Sequence, residues 1–163
     1  MAVSVPWTMG ISTVETLTGN ISSAPDATRK VTHTEFNEGS TLSATTTPAA
    51  TTQASFILTL TAGAATVDLR TLTGTNAATV DGNGLKVQLV RVKNLGANQM
   101  TIKVGAATGH TGVFAATNGH PLNSGGVLMI YTNASGDTID ATHKFWDVTG
   151  TASQTSEWTI VMG

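Results

Sequence analysis

Short runs in which aliphatic and polar residues alternate recur along this chain, and threonine fills about one position in five. A period of two puts successive side chains on opposite faces of an extended strand, and β-branched side chains pack well on a pleated surface. The pattern therefore constrains the chain to β structure. No window sustains a helical period, because Gly, Pro, Asn and Thr interrupt each candidate.

The alternation is clearest from Ser55 onward. Phe56, Leu58 and Leu60 face one way and Ile57, Thr59 and Thr61 the other, with Ala65 to Leu69 following Gly63. This predicts a hairpin. Asp81-Gly82-Asn83-Gly84 is a turn signal ahead of Leu85, Val87 and Leu89, and Val90 and Val92 on the opposite face predict a central strand. After the turn Asn94 to Asn98, Met100, Ile102 and Val104 alternate again, so Leu85 to Val104 reads as a second hairpin. Beyond a Gly- and Ala-rich loop, Gly105 to Ser124, the apolar run Val127 to Tyr131 predicts a strand buried on both sides. Lys144 to Val148 and Trp158 to Met162 supply two more. Eight or more short strands between turns predict an all-β fold, an antiparallel β-sandwich over 55–163 with a jelly roll as the expected topology.

Residues 1–54 read differently, as an extended N-terminal arm. Val14 to Thr18 and Arg29 to Phe36 each predict a strand, but Ser40 to Thr52 is low-complexity and rich in Thr and Ala. Alone in water that stretch is expected to be a flexible linker, because it has little to bury. A segment so poor in charge loses few solvation contacts when laid on protein, and it can add main-chain hydrogen bonds at a strand edge. Trp7, after Pro6, reads either as an aromatic anchor docking onto a partner or as simple local packing. The candidate partner-binding residues are therefore Trp7, Thr45, Thr46, Thr47 and Pro48.

Composition bounds the function. A chain of 163 residues supports one real core. Only 11% of residues are charged, the net charge is −2, and the Lys and Arg residues are scattered, so no basic stripe for nucleic acid forms. The absence of cysteine excludes disulfides, thiolate nucleophiles and Cys-based metal sites. The N-terminus lacks a secretory pattern and no apolar run approaches a membrane span, so a soluble protein without an address of its own is expected. Asn20-Ile21-Ser22 and Asn133-Ala134-Ser135 then read as turns rather than glycosylation sites.

Constellations for chemistry are weak. His33, His110, His120 and His143 match no ligand spacing, although Asp137 or Asp140 could complete a site; loop histidines of this kind are expected to be solvated. The sequence Asp81-Gly82-Asn83-Gly84 begins like a calcium loop, but Leu85 stands where the third oxygen ligand belongs. Gly-x-Ser-x-Gly is missing and the carboxylates are dispersed. Trp158, alternating with Ile160 and Met162, reads as core, and Trp146 must face away from Phe145. No catalytic residue, cofactor or metal ligand is assigned.

The stretches Val92-Lys93-Asn94-Leu95-Gly96-Ala97-Asn98-Gln99-Met100-Thr101-Ile102, Pro121-Leu122-Asn123-Ser124-Gly125-Gly126-Val127-Leu128-Met129-Ile130 and Glu157-Trp158-Thr159-Ile160-Val161-Met162-Gly163 carry a resemblance. Their order, over roughly the C-terminal half, resembles small β-rich virion proteins of tailed bacteriophages, most closely capsid decoration (cement) proteins. That resemblance implies a non-enzymatic structural role, decorating and stabilising a capsid through protein–protein contacts. It implies as partners the major capsid protein and copies of itself, as a homotrimer at a symmetry axis. Its place would be the capsid surface of the virion, after assembly in the host cytoplasm. A phage tail or fibre-head module, and a carbohydrate-binding β-sandwich module, are the alternatives.

Overall fold

The computed structural model describes residues 3–17, 29–114, 117–134 and 136–163, with side chains described outside 12–37. Every regular element among them is a strand. In chain order these are β1 (Ser4–Leu17), β2 (Arg29–Ser43), β3 (Thr52–Thr59), β4 (Ala64–Asp68), β5 (Leu72–Thr73), β6 (Thr79–Val80), β7 (Val87–Asn94), β8 (Met100–Val104), β9 (His120–Leu122), β10 (Val127–Tyr131), β11 (Phe145–Thr149) and β12 (Thr155–Met162).

Two four-stranded antiparallel sheets, β10-β7-β12-β3 and β4-β11-β8-β9, pack face to face as a sandwich. The pairings are nested: β3 meets β12, β4 meets β11, β7 meets β10 and β8 meets β9. Of the connections between these eight strands, only β8–β9 stays within one sheet. The others cross the core.

Both expected hairpins are thereby corrected. Ser55–Leu60 and Ala65–Leu69 lie in opposite sheets, and so do the two halves of Leu85–Val104. The reason is burial on two sides. β7 carries buried aliphatics on both faces, so it needs strand neighbours, a facing sheet and a cover, and it takes the central place between β10 and β12. Strand β10 departs from expectation in the other direction: it is an edge strand whose ends, Val127 and Tyr131, are exposed.

The core is aliphatic around an aromatic centre. Trp146 of β11 and Trp158 of β12 stack across the two sheets with ring centroids 6.2 Å apart, Phe56 stacks on Trp158 at 6.1 Å, and Phe114 meets Trp146 edge-on at 4.9 Å. Both tryptophans are fully buried, and Trp146 faces inward while Phe145 does not. Each indole N–H is satisfied, by the His110 carbonyl at 3.1 Å and by Ser156 Oγ at 2.9 Å. The Gly105–Ser124 segment, read in sequence as a Gly- and Ala-rich loop, sends His110 and Phe114 into this core.

Strands β1 and β2 stand outside the sandwich as a two-stranded ribbon, paired from Ser4–Ser43 to Leu17–Arg29 with a register shift between Ile11 and Thr13. The expected Val14–Thr18 strand is part of β1 as far as Leu17; Thr18 and Asn20-Ile21-Ser22 lie outside the described residues. Strand β3 begins at Thr52 and spans the expected arm boundary at residue 54, with Ala50 and Ala54 both buried.

Candidate partner-binding surface

The ribbon has one apolar face. In β1 the alternation puts Val5, Trp7, Met9 and Ile11 on the same side, with Leu42, Ser40, Glu38 and Phe36 as their partners in register on β2. Leu42 is buried, and Val5 and Trp7 are half-buried with it over Leu89 and Val161, on the outer face of the β10-β7-β12-β3 sheet. The Trp7 ring centre lies 4.8 Å from that of Tyr131. Trp7 thus anchors the base of the arm to its own sandwich. Past this point the stripe continues without cover, with Met9 49% and Ile11 63% exposed. At about 3.3 Å per residue, a strand of the length of β1 reaches about 45 Å.

The segment expected to be a flexible linker is tied down at the same place. The Ser43 carbonyl accepts from Ala50 N at 2.8 Å and from the Thr46 hydroxyl at 2.8 Å, and Thr46 Oγ1 accepts from Ser43 N at 3.0 Å. Buried Gln88 of β7 donates its amide to the Ala49 carbonyl at 2.6 Å, fastening the entry to β3. Thr45, Thr46, Thr47 and Pro48 therefore form a turn beside the arm base, with Thr45 and Thr47 exposed. The structure places all five candidate residues in this one region, with Trp7, Thr45, Thr46 and Pro48 held by intramolecular contacts.

The two outer faces of the sandwich differ. On β4-β11-β8-β9 the Thr66 hydroxyl donates to Asp147 at 3.2 Å, Ala106 N donates to the same carboxylate at 3.0 Å, and Lys103 pairs with Asp147 in register. That face is polar. On β10-β7-β12-β3, register places Ile57, Glu157, Lys93 and Val127 in one row across the sheet, with Thr159, Arg91 and Met129 in the next, toward the arm base. Ile57 is 58% and Val127 54% exposed. Arg91 donates to Glu157 at 2.8 Å, which neutralises that pair. Sequence reading put Ile57 on the face opposite Phe56, Leu58 and Leu60 but did not place Val127 in the same row, because the row exists only once β3, β12, β7 and β10 are aligned.

The histidines whose side chains are described do not assemble a site. His110, expected to be solvated, is fully buried: its Nε2 sits 3.0 Å from the Asp137 carbonyl and its ring meets Trp146 edge-on. Burial lowers its pKa, opposed in part by the hydrogen bond and negative charge of Asp137. The Asp137 carboxylate is itself held below the usual range, chiefly by the Thr111 hydroxyl, and Asp140 further below by the hydroxyl and N–H of Thr142. His143 pairs with Asp140 at 3.2 Å, while His120 stands edge-on to Phe114. Among the described residues no three His, Asp or Glu side chains converge as metal ligands, and the His33 side chain lies outside them. Asp81-Gly82-Asn83-Gly84 is a turn, with Asn83 N donating to Asp81 Oδ1 at 2.9 Å and Gly84 at φ +80°.

No family model, curated protein or solved structure matches the chain.

Proposed function

We propose that this chain is a non-enzymatic virion structural protein that decorates and stabilises a bacteriophage capsid, through contacts with the major capsid protein and with copies of itself. The carrying observation is the arm: a long antiparallel ribbon seated on a rigid sandwich at its base, with its apolar stripe uncovered beyond Trp7. A lone two-stranded ribbon is at best marginally stable in water, and contact with protein supplies what its length lacks. The low charge of the surface favours this use, because little charge is stranded on contact.

The nested pairing of β3 with β12, β4 with β11, β7 with β10 and β8 with β9 supports reading the sandwich as a jelly roll, an architecture that capsid proteins use. The choice of a capsid as the target comes from the resemblance carried by residues 92–102, 121–130 and 157–163.

The experiment is co-sedimentation with empty phage capsids. Removing residues 1–50 would strip Leu42 and Ala50 from the sheet, so a cleaner variant joins Trp7 to Ser40, its partner in register, through an Asn-Gly turn. The intact chain is expected to bind at a saturable stoichiometry. The trimmed chain should fold and bind at least tenfold more weakly, a loss of about 1.4 kcal/mol. A trimmed chain that binds as tightly as the intact one defeats the arm's role, and an intact chain that ignores capsids defeats the capsid reading.

A further inference from the structure

We infer that the arm of one copy docks on the β10-β7-β12-β3 outer face of a second copy, with Met9 seated over Val127 and Ile11 beside it. The inference rests on the assembly reading in taking the arm as an attachment device; it names a receptor for that arm that does not involve the capsid. Continuity with an existing contact is the first argument. Val5 and Trp7, at the base of the stripe, already pack on this sheet face over Leu89, Val161 and Tyr131. Met9 and Ile11 extend the same stripe with the same alternation, yet they are 49% and 63% exposed, so the arm does not lie on the rest of its own sheet. What it leaves open there is the row containing Ile57 and Val127, at 58% and 54% exposed. An apolar stripe on the arm and the exposed apolar ends of that row, Ile57 on β3 and Val127 on β10, are thus both unused within one chain and available between two.

Charge supplies the second argument. Glu38 is the partner of Met9 in register and stands exposed on the ribbon, while Lys93 lies between Glu157 and Val127 in the receiving row. Neither Glu38 nor Lys93 has an ion-pair partner among the described residues, whereas neighbouring Arg91 and Glu157 neutralise each other. Laying Met9 near Val127 brings the acid toward the base, which fixes the direction of docking and disfavours the reverse. Stripe and row are different patches, so the contact closes either by reciprocal exchange across a two-fold axis or head-to-tail in a ring.

The test is the mass of the full chain in solution by light scattering and sedimentation equilibrium, with no capsid present. The intact protein should form a defined oligomer. Met9→Asp with Ile11→Asp should yield a single-chain mass that still unfolds cooperatively, since both residues lie beyond the sandwich. Glu38→Lys alone should raise the dissociation constant several-fold, as expected for a rim ion pair, and adding Lys93→Glu should restore it. The charge pair keeps the test decisive if the double aspartate variant folds poorly. A single-chain mass for the intact protein at its highest soluble concentration overturns the inference, as does an oligomer indifferent to all four substitutions. If that monomer still co-sediments with capsids through Met9 and Ile11, the occupant is the capsid: the assembly reading survives and this inference does not.

Discussion

Asn94 closes β7 where the chain leaves one sheet for the other, and its fully buried amide organises three segments at once. Its Nδ2 lies 2.8 to 3.1 Å from the carbonyls of Asn98, Leu122 and Asn123, while its Oδ1 accepts from Gly96 N and from Gln154 Nε2. Without that side chain several buried polar groups lose their partner, at about 1–3 kcal/mol for each left unsatisfied. Asn94→Ala should therefore cost about 3 kcal/mol, visible as a lower denaturant midpoint at unchanged slope. His110 gives a second prediction at this scale. Its folded pKa is depressed by burial below the unfolded value of 6.5, so its contribution is complete above 6.5. As the pH falls from there toward the folded pKa, the unfolded chain takes up the proton first and stability is lost. Melting temperature against pH should show that falling limb in the intact protein, and it should be shallower in His110→Gln.

The strands and the turns between them were legible as elements, because period two and turn residues are local signals. Which strands pair was not. A turn such as Thr61–Gly63 reads as a hairpin in sequence, but here it carries the chain across the core, with Leu60 buried on one side and Val67 on the other. Gly63 makes this crossing at φ +84°, and a Cβ there would stand 2.7 Å from the Gly150 carbonyl, while Gly150 N donates to the Gly63 carbonyl at 2.8 Å. Gly63→Ala meets both the left-handed backbone and that carbonyl, so it should cost about 2 kcal/mol by chemical denaturation. The same substitution at Gly84, also at positive φ but with open space around it, should cost about 1 kcal/mol from the backbone alone. The arm shows a related limit. Its Thr- and Ala-rich exit has no periodicity to read, and it is ordered by Gln88 and by the turn at Ser43, contacts set by the sheet beneath.

For the whole molecule, the sequence by itself determined the all-β class and the inward-facing tryptophan of β12. Each follows from side-chain periodicity or composition, which are properties of neighbours along the chain. Tertiary structure alone decided the nested strand order, the burial of His110 and the asymmetry between a polar and a partly apolar outer face. Those depend on residues far apart in sequence: the Ile57–Glu157–Lys93–Val127 row joins four strands, and the seat of Trp7 is built from β7, β10 and β12. Sheet registers are selected by the summed burial of both faces, and no stretch of local sequence carries that sum.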